Sequence, residues 1–242
     1  MRIIIFIFIL IAVAFFSYFR GNITISDLMN FIGVIFLGTI ALFQEQFKRW
    51  WFAPKLRIDF RLESPYCSKT PLYLWMKPQD LPGEIRIDTE AYYFRVGVIN
   101  FGKSQARLCE VFIAELQEYR ENRWQEIEYF QQVNLKWDTG KSQDAYMHIN
   151  PSPIRLLSDI GHIVKGNKNV PEHILNRFHL DYLYSIGGYQ PQYLDANKKY
   201  RFKITVISEN AKPVSRHFEL FWTGVWKDTP EEMFKEITIQ TV

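Results

Sequence analysis

The sequence predicts an N-terminal two-helix transmembrane hairpin followed by an all-β domain of seven or eight antiparallel strands, arranged as a sandwich or a barrel. Two apolar stretches near the amino terminus, neither of which contains a charged residue, predict the hairpin. Beyond them, apolar residues recur at every second position, which is typical of half-buried strands. Aromatic residues make up 17% of the 242 residues, and this content favours strands over helices.

The predicted hairpin domain covers residues 1–52, with spans at about 3–19 and 28–43. At about 1.5 Å per residue, these spans give helices of roughly 24–26 Å, slightly shorter than a hydrocarbon core of ~30 Å. Ser26 followed by Asp27 indicates the start of the second helix. An extension of this helix would place Trp50 and Trp51 at a membrane interface. The short link RGNITISD makes the two helices antiparallel neighbours.

The distribution of cations predicts the orientation of the hairpin. Arg2 precedes the first span and Arg20 lies in the link, whereas four cations follow the second span: Lys48, Arg49, Lys55 and Arg57. The positive-inside rule then predicts a multi-pass membrane protein with both termini in the cytoplasm. The alternative is a signal peptide cleaved near residues 12–14, but the apolar stretch continues beyond them and a second one follows.

Residues 53–242 form the predicted β-domain. Apolar and polar residues alternate in six runs: 56–62, 92–98, 178–184, 200–206, 218–222 and 236–242. Segments that contain proline and glycine, 71–84 and 185–198, separate some of these runs. The run 106–120 fits either an amphipathic helix or a strand covered on both faces. A strand is favoured because residues 100–103, Asn-Phe-Gly-Lys, predict a hairpin turn before it.

The stretch GVINFGKS, residues 97–104, matches the phosphate-binding pattern G-x-x-x-x-G-K-[ST] at every defined position. Such a loop follows a strand and opens a helix whose N-terminus faces the phosphates. Here Gly97 lies inside an alternating run, and the segment after the loop reads better as a strand. The chain also lacks the β-α-β pattern and the carboxylate after an apolar strand that nucleotide hydrolases use. We therefore interpret the match as a chance one.

Other catalytic signatures are absent from the sequence, so we expect no enzyme, no metal and no cofactor. The five histidines lack metal-ligand spacing, and Cys67 and Cys109 lie outside any C-x-x-C motif. Cys109 lies in an apolar run and is expected to be a buried, reduced thiol. The run PEEMFKE, residues 230–236, is expected to be a solvated helical turn. A net charge of +3 is too small to argue for DNA or RNA as a partner.

The segment YYFRVGVINFGKSQARLCEV, residues 92–111, is similar to the strand–turn–strand of many bacterial immunoglobulin-like modules. With the hairpin, the whole chain resembles in architecture the two-transmembrane β-domain effectors of bacterial anti-phage signalling, of the CBASS and Panoptes types. The resemblance implies that the β-domain senses a cyclic oligonucleotide. It further implies that a homo-oligomer of hairpins disrupts the inner-membrane lipid bilayer under the control of that domain.

Four residues are candidates for binding a cyclic nucleotide, which needs cations for its phosphates and aromatic faces for its bases. Arg95, Arg201 and Lys203 occupy polar positions of two alternating runs, and Tyr93 shares a phase with Arg95. The alternative for each is an ordinary solvated strand face. The alternative function is an inner-membrane-anchored immunoglobulin-like module that binds a protein partner and no small ligand.

Overall fold

A computed structural model describes residues 16, 18–21, 24–76, 84–138, 145–183 and 191–242. The chain divides into two compact units, Met1–Ala53 and Pro54–Val242. The first unit contains helix α1, Ile25–Phe52. The second contains the strands.

Helix α1 begins at a capping box. The Thr24 hydroxyl accepts a hydrogen bond from the backbone N–H of Asp27 at 3.2 Å, and the Asp27 carboxylate accepts one from the backbone N–H of Thr24 at 3.0 Å. The cap is therefore Thr24 rather than the predicted Ser26. Large apolar side chains along the helix are exposed, among them Met29 at 65%, Val34 at 69% and Phe36 at 63%.

The predicted two-helix transmembrane hairpin is corrected by this structure. None of the helices in the described part of the chain is long and apolar enough to cross a membrane. The apolar stretch 28–43 is bounded by Asp27 and by the polar residues 44–46, and it supplies only about 24 Å of helix. The assignment as a multi-pass protein of the bacterial inner membrane, with both termini in the cytoplasm, depended on the hairpin and is corrected with it. The first predicted span, 3–19, lies almost entirely outside the described residues.

The second unit contains fourteen described strands and one short helix, α2, Pro230–Glu236. The strands are, in chain order, β1 Leu56–Asp59, β2 Cys67–Met76, β3 Ile85–Asn100, β4 Ala106–Arg120, β5 Arg123–Glu126, β6 Val133–Asn134, β7 Lys136–Trp137, β8 Met147–Ile149, β9 Ser152–Val164, β10 Arg177–Leu180, β11 Tyr193–Asp195, β12 Lys199–Ile207, β13 Val214–Trp222 and β14 Ile237–Thr241.

These strands form two antiparallel sheets. Sheet I has the order β1-β3-β9-β10-β11, with β2 also paired to β3 and β7 to β9. Sheet II has the order β14-β13-β12-β4-β5, with β6 and β8 also paired to β4. The inward side chains of both sheets share one core, whose largest fully buried members include Phe94 and Phe178 of sheet I and Phe202 and Phe218 of sheet II. The unit is therefore a sandwich, with more strands than the seven or eight predicted.

Residues 101–105 connect the two sheets, because β3 belongs to sheet I and β4 to sheet II. The predicted hairpin turn at 100–103 is therefore wrong, although 106–120 is a strand as predicted. Asn100, only 1% exposed, holds this crossover. Its side-chain oxygen accepts from the N–H groups of Lys55 and Gly102, and its side-chain nitrogen donates to the carbonyls of Ser104 and Ile149, all within 3.1 Å.

Two further segments differ from the sequence prediction. Residues Pro71–Met76 belong to β2, although the prolines and the glycine of the segment 71–84 predicted a separator. Helix α2 is not a fully solvated turn, because Met233 is completely buried in the core and Phe234 packs against it. The exposed fraction of a helix cannot be inferred from its charged residues alone when one apolar residue per turn faces the core.

Candidate functional site

The pattern at residues 97–104 does not form a phosphate-binding loop. Gly97 lies within β3, paired with Asp59 of β1 and with Leu157 of β9. A Cβ atom at this position would lie 3.0 Å from Cε1 of Tyr66, so the glycine permits the close approach of a tyrosine ring. The loop leads into β4 rather than into a helix. The backbone N–H groups of a helix N-terminus, which cradle phosphates in such loops, are therefore missing here.

The four predicted binding residues lie on opposite sides of the sandwich. Tyr93 and Arg95 are on β3 of sheet I, whereas Arg201 and Lys203 are on β12 of sheet II. Because their neighbours along each strand point into the core, all four side chains face outward. They form two separate clusters rather than one site.

Arg95 lies in a closed ionic cluster on the outer face of sheet I. Its Nε atom is 2.8 Å from Oδ1 of Asp159 and 3.1 Å from Oδ2 of Asp138, and its Nη1 donates to Oγ of Ser68 at 2.6 Å. The side chain is only 11% exposed. Two carboxylates thus compensate one guanidinium, which leaves no net positive charge for a phosphate.

Asp159 is the most perturbed acid of this cluster. Burial raises its pKa to about 6, and the nearby carboxylates of Asp181 and Asp138 act in the same direction. Arg95 opposes the rise through its charge and its hydrogen bond. Burial and the neighbouring negative charges therefore outweigh the ion pair.

Tyr93 begins a row of four rings that crosses sheet I, the aromatic stack: Tyr93, His162, His179 and Tyr193. These residues are direct cross-strand partners on β3, β9, β10 and β11. Successive ring centroids are 5.0, 5.2 and 6.2 Å apart. The guanidinium of Arg95 lies over Tyr93 at 5.2 Å, and that of Arg177 lies over Tyr193 at 3.9 Å. The ring faces are therefore already in contact with one another, and a nucleobase has little room to stack on them.

The two histidines of the stack have different hydrogen-bond partners. Nδ1 of His162 donates to the carboxylate of Asp181, with both oxygens at 3.0 Å. Nε2 of His179 donates to the carbonyl of Ile174 at 2.8 Å. Burial lowers the pKa of His179, the Ile174 carbonyl raises it, and the neighbouring His162 lowers it further. The pKa of His179 therefore lies below its ordinary value, which favours the neutral imidazole.

Sequence reasoning missed this pair of histidines. The alternation of the run 178–184 predicts that the side chain of His179 faces outward. Strand β9, which carries His162, was not predicted as a strand. Its register shifts twice against β3, between Phe94 and Arg95 and again between Val98 and Asn100, so its apolar residues do not alternate regularly. The alternation of 178–184 was the only available signal for one half of the pair.

Arg201 and Lys203 each form an ion pair with a neighbouring strand. Nη2 of Arg201 is 2.5 Å from Oε1 of Glu219, its direct partner on β13. Nζ of Lys203 is 2.7 Å from Oε1 of Glu115, its direct partner on β4. Such cross-strand pairs are the usual way in which a solvated strand face satisfies its charges.

A shallow groove lies on the outer face of sheet II, next to Arg201. Its volume is about 220 Å³, and we call it the sheet II groove; its lining residues are Trp124, Lys199, Glu219, Leu220, Phe221, Thr238 and Gln240. The strand register explains this set, because Phe221 lies opposite both Lys199 and Thr238, and Glu219 lies opposite Gln240. Arg201 contacts two of the lining residues: it binds Glu219, and its guanidinium lies 4.2 Å from the ring centroid of Trp124.

The sheet II groove combines aromatic surface with positive charge. Trp124 and Phe221 offer apolar ring surface, Lys199 is exposed, and Arg201 adds a second cation beside the groove. The bonds from Arg201 to Glu219 all go to Oε1 of that carboxylate. The volume is below the ~300–1,000 Å³ of typical ligand pockets. The groove is therefore large enough for one planar ring and a neighbouring anionic group, not for a whole large ligand.

In the described part of the chain, the cysteines and the metal-ligand residue types contribute no further site. Cys67 and Cys109 are both free and buried, which confirms the expectation for Cys109. Burial raises the pKa of Cys67 to about 12 and that of Cys109 to about 11, so neither thiol is a ready nucleophile. Among the described residues, no group of three or more His, Cys, Asp or Glu side chains is placed to hold a metal ion.

No protein family, curated protein or solved structure matches this chain. The resemblance to anti-phage effectors therefore stays a prediction from architecture, and its transmembrane part is corrected by the structure.

Proposed function

We propose that this protein is a non-enzymatic receptor whose β-sandwich binds a planar anionic ligand, a cyclic nucleotide, in the sheet II groove. One observation carries the proposal: the groove places the rings of Trp124 and Phe221 beside the exposed ammonium group of Lys199, with Arg201 stacked on Trp124. Aromatic faces bind nucleobases by stacking, and cations bind phosphates.

The two clusters of candidate residues support this choice unequally. Tyr93 and Arg95 are occupied by ring contacts and by two carboxylates, so we assign them to the stability of sheet I. Lys203 is occupied by Glu115. Arg201 keeps a role, because it orients both Trp124 and Glu219 at the groove.

The size of the groove limits the contact to one nucleotide unit. A cyclic di- or trinucleotide would place one base and one phosphate in the groove and leave the rest of its ring outside. Such a ligand could join two copies of the chain, each holding one unit. The receptor would then be a homo-oligomer, to which the exposed apolar side chains of α1 would contribute, and it would correspond to the sensing part of an anti-phage effector.

The proposal is tested by thermal unfolding of the full chain with a panel of cyclic di- and trinucleotides. A ligand present at 100 times its dissociation constant stabilises the folded state by about 2.7 kcal/mol, which is readily detected as a shift of the melting temperature. We expect a shift with at least one ligand of the panel. Trp124→Leu and Lys199→Gln should each reduce it.

The matched control is Lys203→Gln, which removes a cation from the same strand and face but outside the lining of the groove. We expect this variant to bind as the wild type does. The proposal is overturned if no ligand shifts the melting temperature, or if the Trp124 and Lys199 variants respond as strongly as the wild type.

A second function is favoured by the exposed ring surface of β2. Tyr73 is 52% exposed and Trp75 is 64% exposed, and the guanidinium of Arg86 lies 3.9 Å from the centroid of Tyr73. Trp, Tyr and Arg are the residue types that dominate binding energy in protein interfaces. A protein-interaction module would use this face, and Trp75→Ser would weaken partner binding, whereas Tyr146→Ser, at another exposed tyrosine, would not. If a partner binds Trp75→Ser as strongly as it binds the wild type, this face is not its binding surface.

A further inference from the structure

Strands β10 and β11 form the far edge of sheet I and have few main-chain pairs. Strand β10 has four residues and β11 has three. Strand β10 pairs with β9 through Phe178, His179 and Leu180, and β11 pairs with β10 through three residues as well. Their inward side chains, such as Phe178 and Leu194, are buried in the core. Contacts on the outer face add to this core packing in keeping the edge closed.

The outer-face contact of this edge is the aromatic stack, and its centre is a pair of imidazole rings. The rings of His162 and His179 are 5.2 Å apart and nearly parallel, with an angle of 16° between them. The stack ends in a guanidinium on each side, from Arg95 and from Arg177. A positive charge on His179 is opposed by the neighbouring His162 and by the guanidinium of Arg177, and favoured by the carboxylate of Asp181.

The two imidazoles differ in how they can accommodate a proton. His162 has a carboxylate, that of Asp181, on its Nδ1. The hydrogen bond of His179 goes to the neutral carbonyl of Ile174, in the segment that leads into β10. Protonation of His179 is therefore unfavourable while the edge is closed. It becomes favourable when the edge opens and water replaces the stack.

Charged and titratable groups reach the stack from every strand that packs beside it. They are Tyr93 and Arg95 of β3, Lys136 of β7 with the adjacent Asp138, Asp159 and His162 of β9, Arg177 of β10 with the adjacent Asp181, and Tyr193 and Asp195 of β11. Asp159 acts in the opposite sense to His179. The pKa of Asp159 is raised in the folded protein, so protonation of this carboxyl group in acid stabilises the closed sheet.

We propose that the stacked histidines form a pH-sensitive latch: they keep β10 and β11 closed at neutral pH, and protonation of His179 increases local opening of this edge in acid. The latch lies on sheet I, so it is independent of the ligand proposed for sheet II. It gives the sandwich one edge whose dynamics respond to pH.

The sign of the effect follows from the direction of the pKa shift. The pKa of His179 in the folded protein lies below its ordinary value of 6.5. A histidine of this kind stabilises the closed state above pH 6.5, and this stabilisation is lost as the pH falls through that value. For a single proton, the ratio of open to closed edge rises at most about tenfold per pH unit.

Hydrogen exchange of the full chain, followed by mass spectrometry at pH 7.5 and 5.5, tests the latch. The peptides that cover β10 and β11 are compared with those of β12 and β13, which serve as an internal reference. We expect the opening of β10 and β11 relative to the reference to increase severalfold at pH 5.5. His179→Gln, which keeps a side-chain donor but cannot be protonated, should abolish the increase. His217→Gln, on the outer face of sheet II, should leave it unchanged.

The latch is overturned if β10 and β11 follow the reference strands at both pH values, or if His179→Gln retains the full increase. A second measurement applies even where that variant does not fold. In an NMR titration of the wild-type protein, the imidazole of His179 should titrate below pH 6.5. Titration at or above that value contradicts the proposal.

Discussion

Single residues on the outer faces of the sandwich show how far local sequence can predict chemistry. The pairing of Tyr93 with Arg95 could be predicted, because two residues separated by one position share a face of a strand. The neutralisation of Arg95 could not, because Asp138 and Asp159 come from other parts of the chain. A cation at an outward-facing strand position is therefore only a candidate for anion binding until its cross-strand partners are known.

The first prediction concerns Asp159 and pH. Its pKa is about 6 in the folded protein, against an ordinary value of 3.8, so the folded state binds this proton more tightly than the unfolded state does. Acid therefore adds stability through this group as the pH falls from about 7 to 4, by up to about 3 kcal/mol. Asp159→Asn lacks this contribution. In urea unfolding at a series of pH values, the free energy of unfolding of Asp159→Asn should therefore fall relative to that of the wild type as the pH falls from about 7 to 4. A difference between the two proteins that does not vary with pH contradicts the prediction.

Elements were predictable where a strand has one regular buried face. The runs 92–98, 200–206 and 218–222 fall within β3, β12 and β13 because their alternation follows a core on one side and solvent on the other. Strand β9 was missed because register shifts interrupt its alternation. The crossover between β3 and β4 was read as a hairpin because two strands and a short loop look the same in both arrangements. The pairing partners of β3 and β4, which lie in different sheets, distinguish them.

The second prediction concerns this crossover. Asn100→Ala removes four hydrogen bonds and leaves the buried carbonyl of Ile149, together with part-buried bonding partners at Lys55, Gly102 and Ser104, without this partner. Unsatisfied buried groups cost about 1–3 kcal/mol each, and part of this cost is relieved by relaxation. For a unit of this size, a loss of about 2–4 kcal/mol lowers the melting temperature by roughly 5–15 °C.

The matched control lies in the same loop. Lys103→Ala removes the lysine of the pattern at 97–104, and a surface substitution of this kind changes stability by no more than about 0.5 kcal/mol. Thermal unfolding of both variants is the measurement. Equal melting temperatures for the Asn100 and Lys103 variants would show that the crossover does not depend on Asn100.

At the scale of the whole molecule, the two units differ in how their apolar surface is covered. The sandwich buries most of its large apolar side chains, in the main core and in a smaller cluster around Ile87, Val164 and Val170, whereas α1 exposes Met29, Val34 and Phe36, at 65%, 69% and 63%. Exposed apolar side chains at this density are typical of surfaces that contact another molecule. A helix of 28 residues is about 42 Å long, enough to pack along a second helix over its whole length. We therefore expect copies of the chain to associate through α1.

The third prediction identifies the face of α1 that associates. Met29, Phe36 and Ile40 are separated by seven and four residues and so lie on one side of the helix, while Val34 lies on the other. Apolar residues at such spacings form the seam between packed helices. Met29→Cys and Phe36→Cys should each form a disulfide between copies of the full chain under mild oxidation. Val34→Cys is the matched control, because its position is as exposed as theirs and should cross-link much less. The native cysteines do not interfere, since Cys67 and Cys109 are buried. Equal cross-linking at all three positions would show random collisions, and none at any would show that α1 does not bring copies together along this face.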